Sequence, residues 1–263
     1  MNTFTIILTI LTLVLLAGFA FKVRQWVKAI RIDSNRIEDK LNQLQSQTNK
    51  SIESINRATQ ETVNAVCISS LGFQFPVFLG GWSIDAFLGK FLVQHLMEHR
   101  PKCIVELGSG SSTTLIARTL QLMGVNNCDH VAVDHEAKYL ALSRDYARLN
   151  GLEDRVTWLD CPLQHYQELD KLWYGEAVEK LAGKKIDLLI IDGPPGPLQP
   201  MSRYPALPLL LPFMSENCTI VLDDAIRDEE QAIAKRWVEE YPGFTLSFNL
   251  EGHGMAVLSR VSP

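Results

Sequence analysis

The chain has 263 residues, of which 46% are hydrophobic and 21% are charged, so it can bury a sizeable core and is not a largely disordered chain. Its net charge of −5 is atypical of a nucleic-acid-binding protein, and we expect no nucleic-acid partner. Its five cysteines are widely spaced and form no CxxC pair, which argues against a disulfide framework or a zinc site.

The N-terminal residues 1–21 predict a membrane anchor. Residues 4–21 contain no charged side chain, and as a helix they would extend about 27 Å, close to the thickness of a bilayer core. A cleaved signal peptide is the alternative, but no charge precedes the apolar run. Four basic residues follow it: Lys22, Arg24, Lys28 and Arg31. The positive-inside rule then predicts a single-pass protein whose C-terminal body lies in the cytoplasm.

Residues 22–66 predict a polar helical stem. The segment has eight Lys/Arg and five Asp/Glu and contains neither glycine nor proline. A weak apolar stripe recurs at helical spacing: Ile37, Leu41, Leu44, Thr48, Ile52 and Ile55. Two interpretations remain open, a solvated helical spacer and a coiled coil through which the chain forms a homo-oligomer.

Residues 67–263 predict an α/β domain in which short apolar strands alternate with helices. The strands are expected at 103–107, 130–134, 155–159, 186–191, 218–223, 244–250 and 254–260. The helices are expected near 84–99, 112–124, 136–150, 165–182 and 226–240. This order predicts a doubly wound, mainly parallel seven-stranded sheet with an antiparallel C-terminal hairpin. Ligands of such sheets bind beyond the carboxyl ends of the strands.

The first three strands end in residues suited to a nucleoside. Gly108, Ser109 and Gly110 follow the first strand and let the backbone approach a ligand closely, and Ser111 or Ser112 is expected to cap the next helix. Asp134 ends the second strand, where a carboxylate can accept ribose hydroxyls, unless it is only a helix cap. Asp160 follows the third strand and could meet an adenine amino group or serve as a turn residue.

Three carboxylates end the next two strands. Asp192 opens a stiff proline-rich loop, and Asp223 and Asp224 end the following strand. Clustered carboxylates repel one another unless a cation or a proton joins them, and hard oxygen ligands suit Mg²⁺. Separate helix caps without a metal are the alternative.

This order of motifs resembles the class I S-adenosylmethionine-dependent methyltransferases over residues 70–263. The resemblance rests on ELGSGSS, VAVD, LDC, IDGPPG and LDDA at successive strand ends, followed by a hairpin, and it looks closest to bacterial small-molecule and sugar O-methyltransferases. It implies S-adenosylmethionine as cofactor. The aspartates also resemble the metal triad of catechol O-methyltransferase-like enzymes, where the last position is often asparagine instead of Asp224.

The resemblance assigns roles to individual residues. It implies cofactor contacts at matching positions, with Trp82 and Ser83 closing over the methionine end: Glu106, Gly108, Ser109, Gly110, Asp134, Asp160, Trp82 and Ser83. It implies that Asp192, Asp223 and Asp224 hold the metal. Asp192 and His253 are the candidate catalytic residues, although His253 could equally be a surface loop residue. Asp85 is expected to cap a helix or to lie near the cofactor.

Other residues at this edge of the sheet allow more than one interpretation. Arg203 could pair with an acidic acceptor or form a salt bridge in solvent. His135 is expected to line the cofactor pocket. The acceptor is expected to be a small molecule, a saccharide or a lipid-linked intermediate. Two other functions remain, a nucleotide-dependent oxidoreductase and a non-enzymatic membrane scaffold. Thr113 in place of a third loop glycine disfavours the oxidoreductase, and the intact loop with its strand-end acids disfavours the scaffold.

Overall fold

The computed structural model describes residues 2–260 and divides into two compact units, Met1–Asn56 and Arg57–Pro263. The first helix, α1 (Thr3–Ser69), supplies all the helical structure described in the first unit and begins the second. It is long and apolar enough near its N-terminus to cross a membrane, and that apolar window is not buried. Length and composition alone are weak evidence, because a signal sequence meets the same criteria.

The predicted stem lies within α1. Its apolar stripe is exposed: Ile37, Leu41 and Leu44 are 67%, 61% and 59% exposed. The structure contains one chain, so self-association through this stripe stays a prediction. Asn64 and Ile68 are already buried within the second unit, so its packed core includes the last turns of α1.

The described part of the second unit, residues 57–260, contains nine strands and six further α-helices. The strands are β1 (Cys103–Leu107), β2 (Asp129–Asp134), β3 (Thr157–Asp160), β4 (Leu163–Tyr166), β5 (Lys171–Tyr174), β6 (Ile186–Ile191), β7 (Met214–Asp223), β8 (Phe244–Asn249) and β9 (Met255–Arg260). The α-helices are α2 (Ala86–His99), α3 (Ser111–Leu122), α4 (Ala137–Leu149), α5 (Ala177–Lys180), α6 (Ala206–Leu210) and α7 (Asp228–Glu240). Short 3₁₀ turns cover Glu153–Arg155, Gly196–Leu198 and Leu211–Phe213.

The predicted seven-stranded sheet is confirmed. Its order is β3-β2-β1-β6-β7-β9-β8. The first five strands are parallel, and β9 runs antiparallel between β7 and β8. The order in which successive strands are added to the sheet therefore reverses between β1 and β6. Open α/β sheets bind ligands at such a point, beyond the carboxyl ends of the strands. The ends of β1, β2, β6 and β7 meet at this edge.

The helix expected over 165–182 is wrong. That segment forms the antiparallel hairpin β4–β5 and the one-turn helix α5. Trp173 and Tyr174 are fully buried, and Tyr166 meets the Trp173 ring edge-on at 6.0 Å. Aromatic side chains favour strands, and because consecutive strand residues point to opposite faces, this end of β5 is buried on both faces. Gly175 ends the run.

The core lies on both faces of the sheet. One side is filled by residues that include Trp173 and Trp237, and the other by α2, α3 and Ile68 of α1. Leu88, Leu92 and Leu96 recur every four residues along α2 and are at most 1% exposed. This packing holds the strand ends in fixed positions, which is what a binding site at that edge requires.

Candidate active site

The loop after β1 brings the backbone close to β6. Gly108 has φ +98°, and a Cβ there would lie 3.2 Å from the Asp192 carbonyl carbon and from the Gly193 nitrogen. A larger residue would be strained by the positive φ and would also crowd the backbone of Asp192 and Gly193. The expectation that Ser111 or Ser112 caps α3 is wrong. Gly110 is the N-cap, and its N–H donates to the Thr113 hydroxyl at 3.1 Å. Thr113, which stands where a dinucleotide-binding loop would have its third glycine, thus fits this turn and accepts a hydrogen bond within it.

Asp134 is fixed against this loop. Its Oδ2 accepts hydrogen bonds from the Ser109 N–H (3.1 Å) and hydroxyl (2.8 Å), and its Oδ1 accepts from the Glu136 N–H (3.1 Å). Burial acts to raise the pKa of Asp134, but the neighbouring His135 ring and the hydrogen bonds from Glu136 and Ser109 outweigh it and lower the pKa below its usual value. The carboxylate is therefore ionised and held in place beside Ser109 and Gly110.

Glu106 is fully buried, and its two carboxylate oxygens differ. Its Oε1 lies 2.6 Å from His130 Nε2, so the pair joins β1 to β2. Its Oε2 has no hydrogen-bond partner among the described residues. The sequence analysis missed His130, although a histidine in the apolar run of β2 was a visible signal.

Of the other predicted cofactor contacts, Ser83 lies against the glycine loop, whereas Asp160 and Trp82 are exposed. Ser83 reaches the loop, since its Oγ lies 3.3 Å from Ser111 Oγ. Asp160 is exposed at the end of β3 and pairs in register with Asp134. Trp82 is 94% exposed, so the structure does not bring it into the packed body.

Arg203 is the organising residue at the ends of β6 and β7. Its Nη2 lies 3.1 Å from Asp192 Oδ1 and 2.8 Å from Asp224 Oδ2. The guanidinium also donates to the backbone carbonyls of Asp192 (2.8 Å) and Asp223 (2.9 Å), and it is 3% exposed. The proline-rich loop folds Arg203 inward, so the interpretation of Arg203 as a salt bridge in solvent is wrong.

The carboxylates around Arg203 have unusual ionisation. Burial raises the pKa of Asp192 to about 6, with Arg203 opposing the shift and Asp224 adding to it. Burial and the neighbouring Asp192 and Asp224 raise the pKa of Asp223 well above its usual value. Arg203 itself stays charged, since the carboxylates outweigh its burial and raise its pKa. A proton can therefore be held at this edge of the sheet near neutral pH.

The β8–β9 loop carries His253 to the same edge. Asp85 both caps α2, accepting from the Leu88 N–H at 2.8 Å, and accepts from the His253 N–H at 2.6 Å. A Cβ on Gly252 would clash with the Asp85 carboxylate, so this contact requires glycine. Asp85 is thus a helix cap, one of its two expected roles, and it also positions His253.

The residues present do not fit one metal ion shared by the three aspartates. The Asp192 and Asp224 oxygens that face one another are joined by Arg203, whereas Mg²⁺ would need to lie about 2.1 Å from each of its oxygen ligands. Arg227 also pairs with Asp224 Oδ2, at 2.9 Å. Among residues 2–260, the grouping with metal-ligand spacing is Asp223, Asp224 and His253, whose ligand atoms lie within 4.8 Å of one another.

Tyr174 lies against the Gly193 backbone in the same region. It is fully buried, and its hydroxyl has no hydrogen-bond partner among the described residues. His135 contacts the Tyr174 ring edge-on at 5.9 Å and is about 16% exposed. An unsatisfied hydroxyl beside the glycine loop is a donor that a ligand or a water molecule could satisfy.

Comparison with known proteins assigns this architecture to a class. Residues 105–225, which contain the glycine loop, Asp134, Asp192 and Asp224, match the family model of a methyltransferase domain. No curated protein matches the sequence. The matched segment runs from β1 to just beyond β7.

Solved structures share the fold at low sequence identity. An O-methyltransferase from Bacillus cereus in complex with SAH is 17% identical over 70% of this chain and 84% of that one, with a TM-score of 0.53. The SAH-bound methyltransferase PaMTH1 from Podospora anserina is 17% identical over 68% of this chain and 80% of that one, with a TM-score of 0.53. The O-methyltransferase TomG from Streptomyces achromogenes, in complex with SAM, is 16% identical over 69% of this chain and 82% of that one, with a TM-score of 0.52. The domain match and the fold together support an enzyme of the methyltransferase class.

Proposed function

We propose that the chain is an S-adenosylmethionine-dependent O-methyltransferase, held at a membrane by residues 4–21, with its body in the cytoplasm. The observation that carries the proposal is the glycine loop joined to Asp134 inside the matched methyltransferase domain. The ligands named for the neighbouring structures support the choice of cofactor.

The cofactor would lie across the ends of β1, β2 and β3. Asp134 would accept the ribose hydroxyls with its ionised carboxylate, and Asp160, level with it on β3, would meet the adenine. Gly108, Ser109 and Gly110 would follow the cofactor with their backbone, and Ser83 would approach its methionine end. Glu106 would act indirectly, by holding β1 and β2 together below the loop.

The cofactor supplies a methyl group on a positively charged sulfur. Transfer forms a bond between the acceptor oxygen and the methyl carbon and breaks the carbon–sulfur bond, whose electron pair stays on sulfur. The acceptor proton must leave at the same time, and Asp192 is placed to take it because its side chain is 28% exposed and only its Oδ1 is held by Arg203. His253 is the alternative base, held at the same edge by Asp85.

The acceptor class is proposed from the anchor. An enzyme tethered by residues 4–21 meets acceptors at or near the membrane, and a saccharide, a lipid-linked intermediate or another small molecule would suit it. A second copy of the chain could associate through the stem, since its apolar stripe is exposed.

Cofactor binding tests the proposal. Full-length protein in detergent would be titrated with S-adenosylhomocysteine by calorimetry, with NAD as the control ligand. We expect saturable binding of S-adenosylhomocysteine and none of NAD. Binding of NAD alone would favour an oxidoreductase, and binding of neither by folded protein would favour a scaffold. Either result would overturn the methyltransferase assignment.

A further inference from the structure

Arg203 holds the position that a bridging cation would need. Its Nη2 contacts Asp192 and Asp224 at once, at 3.1 and 2.8 Å, and so joins the ends of β6 and β7. Two carboxylates that converge on one point need a positive charge between them, and the guanidinium supplies it permanently.

The guanidinium is built into the fold. Three backbone carbonyls accept hydrogen bonds from it: Pro194 (3.4 Å), Asp192 (2.8 Å) and Asp223 (2.9 Å). The next residue, Tyr204, is anchored twice, because its carbonyl accepts from Trp237 Nε1 at 3.0 Å and its hydroxyl donates to Glu240 at 2.5 Å. A metal ion could bridge the two carboxylates only by displacing a side chain that is 3% exposed and satisfied on every side.

We propose that Arg203 replaces the divalent cation, so that this site positions Asp192 and transfers the methyl group without a metal. The inference rests on the proposed function and deepens it. Arg203 is a positioning residue: it fixes Asp192 Oδ1 and Asp224, and leaves Asp192 Oδ2 to receive the acceptor proton.

Binding of Mn²⁺, a paramagnetic substitute for Mg²⁺, tests the proposal without needing an acceptor. Full-length protein in detergent, stripped of metal, would be titrated with Mn²⁺ by electron paramagnetic resonance, with and without S-adenosylhomocysteine. We expect no stoichiometric site in the wild type. R203A should gain one, with affinity about tenfold or more above that of the wild type, because two carboxylates lose their shared cation. R148A, which removes an exposed arginine paired with Asp145, is the matched control and should behave as the wild type.

Several outcomes decide the matter. A wild-type Mn²⁺ site that D224N or H253A removes would overturn the proposal and place a metal at Asp223, Asp224 and His253. So would a folded R203A that gains no Mn²⁺ site. If R203A does not fold, the wild-type titration and R203K decide, since lysine keeps the charge and should stay metal-free. Failure of S-adenosylhomocysteine binding would count against the proposed function alone, because the Mn²⁺ titration does not depend on it.

Discussion

Single carboxylates at this site are defined by their partners more than by their position in the sequence. Asp134 is bound by Ser109 and Glu136 and is kept ionised, whereas partial burial beside other acids raises the pKa of Asp192 to about 6. The same side chain therefore binds in one place and can take a proton in another.

Asp134→Asn should weaken both the fold and cofactor binding. An amide at this position cannot accept from Ser109 and Glu136 as a carboxylate does, and the loss of a charge-assisted hydrogen bond costs about 1.5–3 kcal/mol. Affinity for S-adenosylhomocysteine should fall about tenfold to a hundredfold in calorimetry. Asp145→Asn, at an exposed residue paired with Arg148, is the control and should leave the affinity unchanged. Equal affinities for the Asp134 variant and the wild type would remove Asp134 from the cofactor site.

At the scale of elements, α2 connects the active site to the hairpin. Asp85 satisfies the first turn of α2 and holds the His253 backbone with the same carboxylate. Asp85→Ala should lower the free energy of unfolding by about 1–3 kcal/mol, combining a lost cap with an unsatisfied buried N–H. Asp228→Ala, at an exposed residue in the first turn of α7, is a matched control for an acidic residue at a helix start. Thermal unfolding would measure both variants, and equal midpoints would refute the stabilising role of Asp85.

The opposite end of α2 predicts a pH dependence. His95 is 7% exposed and stacks on His99 at 4.2 Å, and burial, together with the His99 charge, lowers its pKa to about 4. The unfolded chain binds a proton below pH 6.5 and the folded one does not, so stability falls as pH drops from 6.5 to 4. The loss at pH 5 should be about 1–2 kcal/mol. His95→Phe should remove that part of the pH dependence in denaturant titrations, whereas His165→Gln, at an exposed histidine, should not. A wild-type slope retained by His95→Phe would contradict this account.

For the whole molecule, local patterns predicted more of the fold than of the site. The seven sheet strands follow from apolar runs bounded by turn residues, and the hairpin follows from Gly252 and Gly254. The helix prediction for residues 165–182 was wrong because the burial of Trp173 and Tyr174 in a strand overrode the helical propensity of the segment. The position of Arg203 could not be predicted, since its contacts with Asp192 and Asp224 exist only once the proline-rich loop has folded over two strands.

The proposed anchor, residues 4–21, predicts where the whole chain lies in the cell. Residues 4–21 are uncharged and their described side chains are exposed, and four basic residues follow them within ten positions. A fluorescent protein fused after Pro263 should therefore glow in the cytoplasm, and the intact chain should stay in the membrane on alkaline extraction.

Removing residues 1–21 should release the chain into the soluble fraction with its affinity for S-adenosylhomocysteine unchanged, because every proposed cofactor contact lies beyond residue 80. A variant in which Lys22, Arg24, Lys28 and Arg31 become glutamine keeps the apolar run but loses the charge asymmetry, so a fraction of it should insert with the body outside the cytoplasm. A mature protein cleaved near residue 20 would identify the segment as a signal peptide. It would also move the body to a compartment where the cofactor would have to be supplied from elsewhere.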